Sequence, residues 1–186
     1  MLPAIAFVFS RRMVEQCASE ITVPLLEKDS KIPNTVRKEC EQIVRKLPNF
    51  KEYLELPEYD TLVSLLEKGI GIHHAGMLPI FKEIMEIMYE KKYIKVLIAT
   101  ETFAIGLNMP TRTVIFNSLY KHDGNQLRLL ESHEFIQMAG RAGRRNIDTK
   151  GHVVLLTNCY EPLDETSYYN LFHSSPKILK SKLMEI

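Results

Sequence analysis

Five apolar runs of strand length recur along this chain: "AIAFVFS" (4–10), "IGIHH" (70–74), "IKVLIAT" (94–100), "TVIFNSL" (113–119) and "HVVLLT" (152–157). Most are continuously apolar rather than alternating, the pattern of strands covered on both faces. Stretches of helical character separate them. "RRMVEQCASEITVPLLEK" follows the first run, with Pro24 placed to kink or divide it. "PNTVRKECEQIVRKL" and "EYDTLVSLLEK" come next, and "LPIFKEIMEIMYEKK" opens on Pro79 and carries Ile80, Ile84, Ile87 and Met88 at helical spacing. "ESHEFIQMAGRAGRR" precedes the last strand. This alternation predicts an α/β fold, with a mostly parallel central sheet, helices on both faces and right-handed crossovers. Such sheets bind ligands outside the carboxyl ends of their strands. Ser10, His74 and Thr100 fall at or near those ends. The stretch "QMAGRAGRR" (137–145) closes the last crossover helix, and is expected to pack beside them so that the polar residues share one rim.

Bulk properties restrict the function less than the pattern does. At 186 residues the chain is long enough for one well-buried domain with a small appendage. A formal net charge of +1 means that any nucleic-acid site must come from local arrangement rather than overall charge. Cys17, Cys40 and Cys159 form neither a zinc-ligand spacing nor a disulfide framework, which points to reduced thiols. The opening "MLPAIAFVFSRR" lacks the positive leader and small-residue cleavage site of a signal peptide and reads as a buried strand. No segment approaches the length of a membrane span. The expectation is a soluble intracellular product, cytoplasmic or nuclear, without a membrane partner.

In "QMAGRAGRR", Gln137, Arg141 and Arg144 are spaced four and three apart, so they share one face if the helix continues. Gly140 and Gly143 permit close approach of a backbone or a phosphate. Two guanidiniums on one face suit a polyphosphate; a solvated cluster at a helix carboxyl end is the alternative. "ATETFAIGLNMP" (99–110) leads from a strand into a short helix, where Thr100 and Thr102 can serve either as caps or as phosphate ligands. Glu101 between them could serve as a general base beside phosphates or as an orienting or coupling residue. Ser10 and Arg11 pose the same choice between capping and phosphate binding. His73 and His74, adjacent on a strand, point to opposite faces and make a poor metal-chelating pair, so no metal site is expected. One belongs in the core and the other faces the rim.

Four stretches in order carry a resemblance to the superkiller-type DExH group of superfamily-two helicases, which feeds RNA to the exosome. "FVFSRR" (7–12) resembles its motif IV, "GIGIHHAGMLPIFKE" (69–83) the motif that follows, "ATETFAIGLNMPTRTVIF" (99–116) its motif V region and "QMAGRAGRR" its motif VI. "KHDG" (121–124) is similar to a segment these proteins carry between motifs V and VI. The resemblance covers most of residues 4–157, least clearly at 25–65, and thins after 160.

The resemblance implies a RecA-like three-layer sandwich, the second of two motor domains, over 1–160, and a helical extension over 161–186 leading to an absent winged-helix domain. It places Gly106 and Asn108 near the ATP ribose and phosphates, with Gln137, Arg141 and Arg144 as catalytic and ATP-binding residues. It sets Ser10, Arg11, His74, Gly76, Thr100 and Thr102 against an RNA backbone. No G-x-x-x-x-G-K-[ST] loop and no strand-borne DExH stretch occur in the sequence. ATP and Mg2+ are therefore expected to be held mainly by a first RecA-like domain, and this piece alone to be inactive. The implied partners are single-stranded RNA, that first domain and exosome-type accessory proteins. Asn146 stands where the family often has glycine. A DNA-repair helicase fragment and a non-catalytic RNA- or partner-binding module are the competing readings. The helicase reading requires Arg141 and Arg144 to face the rim that carries Thr100 and Gly106.

Overall fold

The computed structural model describes residues 2–27, 31–103, 111–159 and 161–173. Strand β1 (Ala4–Phe7) is the centre of a five-stranded sheet. Around it lie β2 (Ile70–His73), β3 (Val96–Ala99), β4 (Thr113–Phe116) and β7 (His152–Leu155), in the order β2-β3-β1-β4-β7. Every pairing in this sheet is parallel, as the continuous apolar runs predict. Each strand stops short of the carboxyl end of its run, because the chain there leaves the ladder to enter a turn or helix. The last rungs are Val8 N–H to Ala99 O (2.9 Å) and Thr100 N–H to His73 O (3.0 Å).

The helices follow the apolar stripes, with two shifts. Helix α1 (Arg11–Glu20) ends before Pro24 rather than kinking through it, with Ile21 already extended. Helix α2 (Ile32–Val44) buries Val36, Cys40 and Val44, one per turn. A short α3 (Phe50–Leu54) and α4 (Pro57–Glu67) follow, and α2 packs on α4. In α5 (Pro79–Glu90) the core face is Phe81, Ile84, Met85 and Met88. The stripe is thus turned by about one residue from the expected one, since the larger Phe81 ring takes the interior against Tyr53 and Tyr59. Phe7, Phe116, Ile5 and Leu97 are fully buried, each burial contributing about 1.5–3 kcal/mol.

After β4 the chain makes a feature absent from the sequence reading. Strands β5 (Tyr120–His122) and β6 (Leu127–Leu129) pair antiparallel as a separate hairpin. Helix α6 (Ser132–Ala139) then leads back toward β7, and α7 (Glu165–His173) packs on it. A run of rings ties these layers together: Phe116 on Phe135 at 4.8 Å, then Phe135 on Phe172 at 5.1 Å. Among the described residues no helix is long and apolar enough to cross a membrane.

Candidate nucleic-acid and nucleotide site

Strand order and register decide which residues meet. His73, Ala99 and Phe7 lie in one row across β2, β3 and β1. The residues just beyond them, His74, Thr100 and the Val8–Ser10 segment, therefore leave neighbouring strands side by side. Parallel strands lie roughly 4.8 Å apart, so three chain turns share one short rim. Ser10 is the N-cap of α1 in an extended conformation, but its hydroxyl makes no cap hydrogen bond. Its place as a backbone cap and the absence of that bond leave the oxygen at the rim without a capping role. The Thr100 and Thr102 hydroxyls stand 2.9 Å apart, one bonded to the other. Thr100 is buried and Thr102 exposed, so the outer hydroxyl is tied to one anchored in the core.

The two histidines do point to opposite faces. His73 Nε2 lies 3.4 Å from Glu86 on α5 and its ring meets Phe103 edge-on at 5.0 Å. His74 instead faces α1, with Nε2 3.3 Å from Glu15 Oε1. Both are buried, His73 and His74 being 7% and 5% exposed. The reason is the turn itself, whose Gly76 N–H donates to His74 Nδ1 at 3.1 Å. That bond requires an unprotonated Nδ1, which leaves the proton on Nε2 facing Glu15. His74 thus shapes the turn, and exposed Gly76 presents it. Arg11 closes over the glycine; a Cβ there would sit 3.2 Å from Arg11 Cδ and 3.3 Å from its Nη1.

Burial lowers the pKa of both histidines below their ordinary 6.5, and Glu86 and Glu15 respectively offset this only in part. A group held neutral by the fold binds its proton more readily in the unfolded chain. Stability from these histidines is therefore complete above pH 6.5 and declines as pH falls from there toward the folded-state values. Urea midpoints are expected to drop between pH about 7.5 and about 5.5, and His74→Asn is expected to flatten that drop. An unchanged slope in the variant contradicts the assignment of the proton.

The arginine stretch does not join this rim. Helix α6 ends at Ala139 with Gly140 as C-cap, so Gln137, Arg141 and Arg144 do not continue one helical face. The next residues turn inward instead. Thr111 N–H donates to Arg141 O (2.9 Å), Gly143 N–H donates to Thr111 O (2.6 Å), and Gly143 adopts φ +91°. Thr111 precedes β4, and its hydroxyl donates to Pro3 O just ahead of β1. Both mark the amino ends of the strands. The physical reason is polarity: a crossover helix runs back against the strands, so its carboxyl end lies where the next parallel strand begins. The expected convergence of "QMAGRAGRR" with Ser10, His74 and Thr100 on one rim is therefore corrected to two stations on opposite ends of the sheet. The glycines serve backbone packing here, since a Cβ at Gly151 would meet the Ala142 carbonyl at 2.5 Å.

Arg144 is engaged within the domain. Its Nε and Nη2 donate to the two Asp148 oxygens at 2.7 and 2.8 Å, and its backbone N–H adds a third bond. These bonds hold the Asp148 carboxyl well below the usual range. The Tyr89 hydroxyl is close enough to feel both Thr111 and Arg144, although burial, the larger effect, raises its pKa. A carboxylate in a bidentate clasp occupies the geometry a phosphate would use.

A second charged cluster lies at the other end of α6. Arg128 on β6 clasps Glu134 through two 2.8 Å bonds. Lys121 on β5 adds a third contact to Glu134 at 2.7 Å and approaches Glu101 at 3.7 Å. Burial pushes the Glu134 carboxyl up, but Arg128, Lys121 and the Glu131 N–H outweigh it and bring it down to about 2.

A model of the helicase conserved C-terminal domain matches residues 27–146. The chain belongs to this family. This helicase C-terminal domain is 44% identical over 182 residues to the antiviral helicase SKI2 of Saccharomyces cerevisiae, covering 98% of the chain and 14% of that protein. It is 39% identical over 181 residues to the human Superkiller complex protein 2, covering 97% of the chain and 14% of the relative. It is 42% identical over 159 residues to the ATP-dependent RNA helicase mtr4 of Schizosaccharomyces pombe, with 83% and 14% covered. The chain thus spans about one-seventh of the length of these relatives, and its resemblance to the superkiller-type DExH group stands.

Within the helicase C-terminal domain, Gly106 and Asn108 lie outside the described residues. Gln137 is exposed on the last turn of α6 and Arg141 half-buried just beyond it. Sequence reasoning missed Lys121, Arg128, Glu134 and Asp148. The first three depend on the hairpin, whose Asp123-Gly124 pair was the available signal; Gly124 has φ +106°, and Asp123 accepts the Asn125 and Gln126 N–H groups at 2.9 Å.

Proposed function

We propose that this helicase C-terminal domain is the second RecA-like motor domain of an ATP-dependent RNA helicase acting in RNA processing or decay inside the cell. One structural observation supports the reading. Ser10, Arg11, Gly76, Thr100 and Thr102 follow the carboxyl ends of three strands that are in register, while the arginine stretch is pinned at the far end of α6. One station suits a phosphodiester chain and the other a nucleotide; the requirement that Arg141 and Arg144 face the rim of Thr100 is not met, and the helicase reading stands instead on the family match over residues 27–146. The names of the relatives, RNA helicases and a superkiller complex protein, support RNA as the substrate and exosome-type proteins as partners.

At the rim, hydroxyls, a helix N-terminus and the Arg11 guanidinium offer donors to phosphate and sugar oxygens. Such contacts give little sequence selectivity and marked salt dependence. The HHAG turn also walls a groove of about 610 Å³ lined by Glu15, Glu58 and Phe81 among others. Its carboxylates repel phosphates, so the RNA path runs on the Arg11 side.

At the other station, Gln137, Arg141 and Arg144 complete a pocket for ATP and Mg2+ held mainly by a first RecA-like domain; Gly106 and Asn108, outside the described residues, are further ATP contacts by the resemblance alone. The nucleotide supplies the phosphoryl group and the metal neutralises its charge. Arg141 presents a guanidinium from a backbone fixed by Thr111. Arg144 exchanges its Asp148 clasp for a phosphate when the domains close. Closing and opening on successive ATP molecules then gives stepwise movement along RNA.

The chain alone is expected to show no ATP turnover, and mixing it with a separately produced first domain is expected to restore RNA-stimulated turnover at high concentration. Failure of rescue favours a binding module. In the full-length protein, stimulation by single-stranded DNA equal to that by RNA at matched salt favours a DNA-directed helicase.

A further inference from the structure

Helix α6 physically connects the two stations. Its eight residues extend about 12 Å at 1.5 Å each. Glu134, in its first turn, lies at the carboxyl end of the sheet, and its last turn feeds into the Arg141–Gly143 anchor on Thr111. The hairpin is already fixed to this helix by the bidentate Arg128–Glu134 clasp. Lys121 adds a second tie from the hairpin to Glu134, and its ammonium, with a side chain 15% exposed, sits between Glu134 and Glu101. Glu101 stands between Thr100 and Thr102 in the rim turn. Two carboxylates, one on the rim turn and one on the helix that leads to the arginine stretch, therefore share one partly buried cation, and removing it leaves them facing each other.

We propose that Lys121 is the positioning residue that couples the RNA rim to the arginine stretch. Movement of the Thr100–Thr102 turn as a strand seats carries Glu101; the shared ammonium draws Glu134 with it, and α6 conveys the shift to Arg141 and Arg144. This rests on the helicase reading above and adds to it a path by which RNA accelerates ATP turnover.

The test uses the full-length parent protein carrying Lys121→Met, Lys121→Arg or Glu101→Gln. In Lys121→Met, the ratio of turnover at saturating RNA to turnover without RNA is expected to fall about fivefold or more. The RNA concentration for half-stimulation and the KM for ATP are expected to stay at wild-type values, with turnover read well below the melting temperature of the variant. Lys121→Arg, which keeps the charge, is expected to retain the ratio, and Glu101→Gln combined with Lys121→Met to be no worse than Lys121→Met alone. A retained ratio in Lys121→Met overturns the coupling role. So does a loss explained by lower melting temperature or weaker RNA binding, which marks packing or direct contact. Wild-type protein that RNA does not stimulate overturns the helicase reading and this inference with it.

Discussion

Replacing Arg141 by alanine in the full-length parent protein is expected to slow RNA-stimulated ATP hydrolysis about a thousandfold, while RNA binding at matched salt is retained. The size follows from the task. A guanidinium aimed at developing phosphoryl charge acts where water is excluded, and it acts best when its approach is fixed beforehand. Arg141 has that preparation, since its carbonyl is held by Thr111 and the two residues after it are locked against the amino end of the sheet. Arg141→Lys is expected to recover little, because a flexible ammonium lacks the planar fork. A loss smaller than about tenfold contradicts the role. Arg144→Ala differs in kind: it also strips Asp148, whose side chain is 8% exposed, of the guanidinium clasp and leaves it the backbone N–H alone, so lower thermal stability is expected to accompany slower turnover.

The second large effect concerns a residue that carries no chemistry. Gly151→Ala is expected to lower the melting temperature of the chain by about 5–10 °C, from an overpacking cost of about 2–3 kcal/mol. The added methyl would lie 2.5 Å from the Ala142 carbonyl and 2.7 Å from Gly143 N, and all of these are backbone atoms with nowhere to retreat. The bridge between Thr111 and Ala142 must then open, so turnover in the full-length protein is expected to fall together with stability. Gly76→Ala is the control. Its methyl meets the Arg11 side chain at 3.2 Å, which can swing aside, and His74 Nδ1 at 3.2 Å, which must give by a few tenths of an ångström, so its melting temperature is expected to fall less than that of Gly151→Ala. Equal melting temperatures for the two variants contradict the backbone-contact argument.

The sheet was legible because its signal is local. Runs such as "IKVLIAT" and "TVIFNSL" are apolar throughout, and only a strand covered on both faces needs that. The rim was legible for a related reason: Ser10, His74 and Thr100 end consecutive runs, and parallel strands place such ends together. What escaped was direction. Reading "QMAGRAGRR" as a neighbour of Thr100 ignored that a helix between parallel strands must finish at the opposite end of the sheet. The Thr111 pairing that anchors Arg141 spans some thirty residues, and no window of sequence displays it. The hairpin escaped because β5 and β6 are three residues each and held by ion pairs, so hydrophobic periodicity had nothing to report. Lys121 and Glu134 look like ordinary surface charges until their partners are brought beside them.

Because His73, Ala99 and Phe7 share one rung, the footholds beyond them are spaced by the interstrand ladder, roughly 4.8 Å per step. On the proposed function the sheet would act as a ruler: a chain laid across its end would be gauged in lengths fixed by peptide geometry, whatever letters that chain carries. Loop mutations can tighten or loosen each foothold, but only a register slip could change the gauge.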